Sequence, residues 1–220
     1  MVELIRGLEA DTVRASLERV RSEIAATGRD PAEVQILAAV KYVPVDELDV
    51  LAQAGLTLLG ENRAQDLVEK AQAHPGRFTW DFIGHLQSRK VRQVLPYVRY
   101  IETVASDSAL EELRRHGDVS TEVLVEVNVA GEEGKSGIAP GELPGFLERS
   151  PVRVVGLMTM PPLAGAPEDS RRHFAALREL AHEHGLAQLS MGTSQDYIVA
   201  VEEGATIVRL GTSLYRPAHG

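Results

Sequence analysis

The fold of this 220-residue chain is constrained most strongly by a regular alternation of short apolar runs and helical patterns. Eight of these runs resemble strands, from residues 34–40 to residues 206–210, and each follows a helical pattern. Such runs are typical of strands buried on both faces, and strands that alternate with helices form parallel sheets with right-handed crossovers. The sequence therefore predicts an α/β fold, a single (β/α)8 TIM barrel with an extra N-terminal helix, spanning residues 1–220 as one domain.

An open, doubly wound parallel sheet is the alternative fold, because it also alternates strands with helices. Dinucleotide-binding sheets of that kind carry a G-x-G-x-x-G motif after the first strand, and no such motif follows residues 34–40. The barrel is therefore the preferred prediction.

The extra helix is predicted from apolar residues that recur at steps of four, three and four. These residues are Val13, Leu17, Val20 and Ile24. The spacing marks one face of an α-helix, and Gly28 suits the left-handed position that ends one. Further along, Ser108 is followed three residues later by Glu111, which predicts a capping box at the start of another helix.

Composition excludes several classes of protein. Lysine and arginine number 23 and aspartate and glutamate number 32, so the formal net charge is −9. Nucleic acids and anionic membranes attract positive surfaces, so we expect neither as a partner. Cysteine is absent, which excludes disulfides and thiolate chemistry, and the histidines show no H-E-x-x-H spacing, so we expect no metal site. Charged residues interrupt the first segment, and no run is long enough to cross a membrane, so we expect a cytoplasmic protein.

Chemistry in a barrel of this kind is expected where the strands end, at their carboxyl edge. Lys41 follows the first apolar run directly. A lysine desolvated there would have a depressed amine pKa and a lone pair free to attack a carbonyl carbon. The alternative is a strand-end lysine that extends its charged end into solvent.

Two similar motifs follow the last two strands. MGTS covers residues 191–194 and RLGTS covers residues 209–213. Glycine lets the backbone approach a ligand, and hydroxyls with free N–H groups suit a phosphate. Arg209, on the eighth strand, must find an acceptor inside the barrel, and a salt bridge to Glu61 or Glu126 is the alternative to a ligand contact. A reactive lysine, phosphate donors and an arginine between them predict a pocket for pyridoxal 5′-phosphate (PLP).

Seven motifs along the chain strengthen this interpretation. They are AVKYVP around Lys41, GENRAQD from Gly60, FIGHLQSRKV from Phe82, VNVAGEEGKSGI from Val127, GLMTM from Gly156, LSMGTSQD from Leu189 and IVRLGTSLY from Ile207. With these motifs in order, the chain resembles the pyridoxal phosphate homeostasis proteins. The resemblance implies a barrel similar to the N-terminal domain of alanine racemase.

The resemblance also implies roles for individual residues. Lys41 would form a covalent aldimine, a Schiff base, with PLP, and Arg209 would face the pyridine nitrogen. The other residues implied in PLP binding are Ser194, Gly211 and Thr212 at the phosphate, Asn62 and Met158 along the pocket, and His85 at its rim. Thr193 and Tyr197 depart from the methionines usual in the family, which could alter access to the pocket.

An arginine beside the pyridine nitrogen disfavours its protonation and makes PLP a poorer electron sink. Little chain follows Tyr215, so no domain is expected to supply the second base of a racemase. We therefore expect a monomeric protein that is not an enzyme and that binds, stores and delivers PLP, with PLP-dependent apo-enzymes as recipients. The alternatives are a slow amino-acid racemase with Tyr197 or His85 as second base, and an enzyme acting on a sugar phosphate.

Overall fold

The strands form a closed barrel in the computed structural model, which describes residues 4–162 and 165–215. Each strand is parallel to the next, and the last returns to pair with the first. The strands of the described chain are β1 (Gln35–Ala39), β2 (Leu58–Glu61), β3 (Thr79–Phe82), β4 (Tyr100–Val104), β5 (Glu122–Glu126), β6 (Arg153–Met158), β7 (Gln188–Thr193) and β8 (Ile207–Leu210). The predicted (β/α)8 barrel is confirmed, and the open sheet is wrong.

Helices cover the outside of the barrel. Over the described residues they are α1 (Ala10–Ala26), α2 (Leu48–Gln53), α3 (Ala64–Ala73), α4 (Val91–Val94), α5 (Asp107–His116), α6 (Leu143–Arg149), α7 (Arg171–Glu183), α8 (Tyr197–Glu202) and α9 (Thr212–Tyr215). None of these helices is long and apolar enough to cross a membrane.

Helix α1 is the extra N-terminal helix, and it packs beside α2, α8 and α9. It therefore covers the part of the barrel wall between α8 and α2. Gly28 follows its last turn with a φ of 86°, as the sequence predicts. The predicted cap of α5 is wrong, because Ser106 rather than Ser108 accepts the backbone N–H of Ala109.

Two apolar clusters separate the inside of the barrel from its outside. The smaller cluster fills the barrel and includes Leu37, Leu124, Met158 and Ile207. The larger cluster lies between the strands and the helices. Because successive strand residues point to opposite faces, Leu37 and Ile207 identify which positions of β1 and β8 point inward.

Gly156 in β6 lies in close contact with the backbone of the neighbouring strand β7. A Cβ atom on Gly156 would lie 2.1 Å from the backbone oxygen of Gln188 in β7. No side chain can be accommodated there unless the two strands move apart. Gly141, in the exposed turn before α6, has no atom within 4 Å of the equivalent position.

We expect Gly156→Ala to lower the free energy of unfolding by about 3 kcal/mol, because overpacking a close strand contact forces the backbone to shift. Denaturant unfolding followed by circular dichroism measures the change. Gly141→Ala is the matched control and should unfold like the unsubstituted protein. Equal unfolding midpoints for the two variants would contradict this account of the β6–β7 contact.

Candidate functional site

The carboxyl edge of the barrel brings together side chains from its first and last strands. Leu37 of β1 is paired in register with Arg209 of β8. Lys41 lies two residues beyond the end of β1, and Gly211 lies one residue beyond the end of β8. Both follow the carboxyl ends of paired strands, so their backbone belongs to the mouth of the barrel.

Lys41 is exposed in this structure. Its Nζ lies 4.4 Å from the ring centroid of Tyr42, a cation–π distance. Of the two alternatives that the sequence leaves open for Lys41, the structure shows the lysine directed to solvent.

Arg209 is buried inside the barrel, with 6% of its surface exposed. Its Nη1 donates to Ser190 Oγ at 2.6 Å, and its Nη2 donates to the carbonyl oxygen of Thr159 at 2.9 Å. Neither Glu61 nor Glu126 forms a salt bridge with Arg209 among the described contacts. The guanidinium therefore keeps a direct hydrogen bond to a neutral hydroxyl rather than to a carboxylate.

The charge of Arg209 is nevertheless balanced at a distance. Burial lowers the pKa of Arg209, and the charges of Glu102, Glu126 and Asp196 oppose that effect. Arginine remains protonated at physiological pH even so. The barrel therefore presents a fixed positive charge below its mouth.

The loops after β7 and β8 meet through their hydroxyl groups. Ser194 Oγ and Ser213 Oγ lie 2.8 Å apart, and the backbone N–H of Gly211 donates to Ser194 Oγ at 3.2 Å. Nothing lies within 4 Å of the point where a Cβ on Gly211 would stand, so there is open space beside these donors. Thr212 is exposed and begins α9.

Hydroxyls and N–H groups beside open space suit a phosphate. The donor set of this structure therefore fits the phosphate of PLP. Ser213 belongs to the same cluster, although the sequence prediction named only Ser194, Gly211 and Thr212. Its place in the RLGTS motif was the available signal.

Helix α1 braces both of these loops from outside the barrel. Arg19 donates to the carbonyl oxygen of Ser213 at 3.2 Å. The Tyr197 hydroxyl donates to Glu23, so it is directed to α1 and away from the barrel interior. Of the two residues considered as a second base, Tyr197 therefore lies on the wrong side of the strands.

The other predicted site residues occupy different depths. Asn62 is half-buried one residue after β2, and Gly84 packs against its backbone. Met158 is buried in the apolar cluster inside the barrel. His85 is exposed, with Nδ1 3.1 Å from Ser136 Oγ of the loop after β5. Asn62 and His85 thus lie on the rim, and Met158 forms part of the floor.

A buried ion pair, which sequence reasoning missed, supports the rim beside Lys41. Lys70 Nζ of α3 lies 2.5 Å from Glu61 Oε2 and donates to the carbonyl oxygen of Val40 at 2.7 Å. Glu61 Oε1 accepts the backbone N–H of Asn62 at 2.6 Å. One ion pair therefore fixes the backbone next to both Lys41 and Asn62.

Comparison with known proteins gives consistent matches along almost the whole chain. The model of the alanine racemase N-terminal domain family matches residues 11–218. The pyridoxal phosphate homeostasis protein of Aquifex aeolicus is 39% identical over 213 residues, covering 90% of this chain and 93% of that protein. The protein of the same name from Pseudomonas aeruginosa is 37% identical over 216 residues, covering 94% of each.

A solved structure with a bound ligand is also similar. PipY of Synechococcus elongatus, with PLP bound, superposes with a TM-score of 0.78 and is 30% identical. The match covers 93% of this chain and 100% of that one. The resemblance seen in the sequence motifs therefore extends to the three-dimensional fold.

We expect Lys70→Met to lower the free energy of unfolding by about 3–5 kcal/mol, because it leaves the Glu61 carboxylate buried without its partner. Denaturant unfolding at neutral pH measures the loss. Adding Glu61→Gln should recover part of it, since the amide oxygen still accepts the N–H of Asn62 without a buried charge. Arg21→Met, which breaks an exposed pair with Glu18, is the control and should cost less than about 1 kcal/mol.

Proposed function

The chain belongs to the pyridoxal phosphate homeostasis protein family, within the larger family of alanine racemase N-terminal domains, and on that premise we propose that it binds, stores and delivers PLP. The observation that carries the proposal is one shared edge of the barrel. There the backbone of Lys41, the guanidinium of Arg209 and the hydroxyls of two loops lie at one end of the barrel. PipY, solved with PLP bound, supports the same ligand.

The phosphate of PLP would bind at the loops after β7 and β8. Ser194 and Ser213 already face each other at 2.8 Å, so both hydroxyls can turn toward an incoming anion. The backbone around Gly211 and Thr212 would contribute N–H groups. Because α1 holds the Ser213 carbonyl through Arg19, this half of the site needs little rearrangement on binding.

The pyridine ring would lie above the barrel floor, with Met158 below it and its nitrogen toward Arg209. A guanidinium is a permanent donor and disfavours protonation of that nitrogen. PLP supplies an aldehyde that can bond to an amine and a ring that can accept electrons, and a neutral pyridine accepts them weakly. Holding the cofactor is thus better supported than driving carbanion chemistry.

Lys41 would hold the cofactor covalently. Lys41 would supply the amine and PLP the aldehyde, and their condensation, with loss of one water, would hold the cofactor. For this the side chain must turn from Tyr42 into the mouth. Hydrolysis of that bond would reverse the reaction and release PLP to recipient apo-enzymes.

Absence of strong turnover is part of the same proposal. Racemisation by two bases needs a proton donor on each face of the substrate. The Tyr197 hydroxyl donates a hydrogen bond to Glu23 outside the strands, and His85 is exposed at the rim beside Ser136. Neither placement favours the racemase alternative.

The remaining parts of the proposal concern the state of the protein in the cell. We propose one PLP-binding domain over residues 1–220, acting as a cytoplasmic monomer. The low number of exposed large apolar side chains supports the monomer, since in the described part of the chain they are Leu4, Val119 and Met160.

Reconstituted protein should be yellow and keep PLP through gel filtration. We expect Lys41→Ala to lose the visible absorbance band, because the covalent bond cannot form, while retaining weaker, reversible binding of the phosphate. Borohydride reduction followed by peptide mass measurement should place the pyridoxyl group on Lys41.

Lys90→Ala is the matched control, since Lys90 lies in the turn before α4, and it should keep the colour. A wild-type protein that stays colourless with excess PLP would overturn the proposed function. A different carbonyl compound trapped on Lys41 would favour the sugar-phosphate alternative.

We expect the PLP-loaded protein to exchange the Cα proton of L-alanine no faster than free PLP does. Incubation in deuterated water followed by mass spectrometry measures the exchange. Exchange well above that of free PLP, and lost in His85→Gln, would instead support the racemase alternative.

A further inference from the structure

A chain of polar side chains crosses the interior of the barrel beneath the proposed cofactor site. Arg209 Nη1 donates to Ser190 Oγ at 2.6 Å, and the Ser190 hydroxyl donates to Glu102 Oε2, also at 2.6 Å. Ser190 and Glu102 have no exposed surface. The guanidinium that faces the site is therefore linked through one hydroxyl to a buried carboxyl group of β4.

The chain continues to the amino-terminal end of the barrel. Asp81 of β3 pairs with Arg99 through two hydrogen bonds, at 3.1 Å from Nε and 2.5 Å from Nη2. It also accepts the backbone N–H of Tyr100 at 3.2 Å. With this many donors, Asp81 is the carboxyl group that stays ionised, although burial raises its pKa.

Glu102 is the carboxyl group that holds a proton. Burial first, and the charge of Asp81 second, raise the pKa of Glu102 to about 8, against the opposing charge of Arg209. Its Oε1 is buried with no donor among the described groups. A proton on that oxygen, donated to Asp81, satisfies both carboxyl groups at once.

We propose that Ser190 and Glu102 are positioning residues for Arg209, and that the proton shared by Glu102 and Asp81 sets the positive charge that Arg209 presents to bound PLP. This inference rests on the proposed PLP site. When Glu102 is neutral, Arg99 balances the charge of Asp81. The positive charge of Arg209 then attracts the anionic ligand without a neighbouring negative charge to oppose it. When the proton leaves, a second buried negative charge stands one hydroxyl away from Arg209 and weakens its attraction for that ligand.

Other charged groups face this network, and their effects on Arg209 must be distinguished from the effect of Glu102. Glu126 of β5 and Asp196 in the loop after β7 also act on Arg209 through space. Burial raises the pKa of Glu126 to about 7, and Glu126 forms no hydrogen bond with Ser190 or Arg209 in the described part of the chain. Arg99 acts on Glu102 from the far end.

Glu102→Gln is the decisive variant. A glutamine amide reproduces the protonated acid, since its oxygen accepts from Ser190 and its nitrogen donates to Asp81, but it cannot ionise. The probe is 4-deoxypyridoxine 5′-phosphate, which has no aldehyde, so the titration of Lys41 does not enter. Its dissociation constant is measured by fluorescence for both proteins from about pH 6.5 to about pH 9.5 at fixed ionic strength.

We expect the two dissociation constants to agree at the acidic end and the wild type to bind roughly five-fold more weakly at the alkaline end, because binding and ionisation are linked reciprocally. The ratio should change around pH 8, the pKa of Glu102. Glu126→Gln is the control, and its affinity for the probe should still fall around pH 8 as that of the wild type does. Wild type and Glu102→Gln that follow one curve would overturn the inference.

Two further measurements keep the inference testable if Glu102→Gln does not fold. In the wild type, the 13C resonance of the Glu102 carboxyl should titrate near pH 8 and move to higher pH when the probe binds. A carboxyl already ionised at neutral pH, or one indifferent to the probe, would overturn the proposal. Ser190→Ala should weaken binding of the probe and shift the absorption maximum of the bound probe. Ser190→Thr keeps the hydroxyl, so it should restore both the affinity and the absorption maximum. If Ser190→Ala changes neither, Ser190 is not a positioning residue.

Failure of this inference is distinguishable from failure of the proposed function. If the wild type binds neither PLP nor the probe at any pH, both the proposed function and this inference are wrong. If the wild type binds PLP at neutral pH and Glu102→Gln matches it throughout, the PLP site stands and the role of the shared proton does not.

Discussion

Pairing between the first and last strands is the constraint on which the site depends. Leu37 of β1 lies in register with Arg209 of β8, and this pairing brings the backbone of Lys41 and the guanidinium of Arg209 to the same mouth. A shift of one residue in that register would turn Arg209 from the interior into the helical shell. Barrel closure therefore defines the chemistry as well as the shape.

Charged groups are buried on both sides of the barrel wall, and the molecule compensates each of them differently. Lys70 and Glu61 neutralise each other beside the rim, and Asp81 is neutralised by Arg99 at the opposite end. Among the described contacts, Arg209 has the hydroxyl of Ser190 as its direct side-chain oxygen partner, and the carboxyl groups around it lie farther away. An incompletely balanced cation is what an anionic ligand needs, so the least stabilised charge is the most useful one.

The sequence predicted most of the architecture because the barrel is built from local patterns. Apolar runs, helical spacing and Gly28 are all read within a few residues, and the ends of the strands identified Lys41 and Arg209. The partners of those residues were not predictable in the same way. Glu102 and Ser190 are 88 residues apart in the chain, and the outward direction of Tyr197 depends on Glu23 in α1. The direction of the Lys41 side chain was left open between two alternatives, since strand position alone does not say whether an amine at the rim turns inward or outward.

Helix α1 ties the site to contacts between distant parts of the chain. Arg19 donates to the Ser213 carbonyl across 194 residues of sequence, and Glu23 accepts from the Tyr197 hydroxyl across 174 residues. Contacts of such sequence separation form slowly in folding, because a long segment must first be closed into a loop. We therefore expect the loops after β7 and β8 to take up their final positions only once α1 has docked against the barrel.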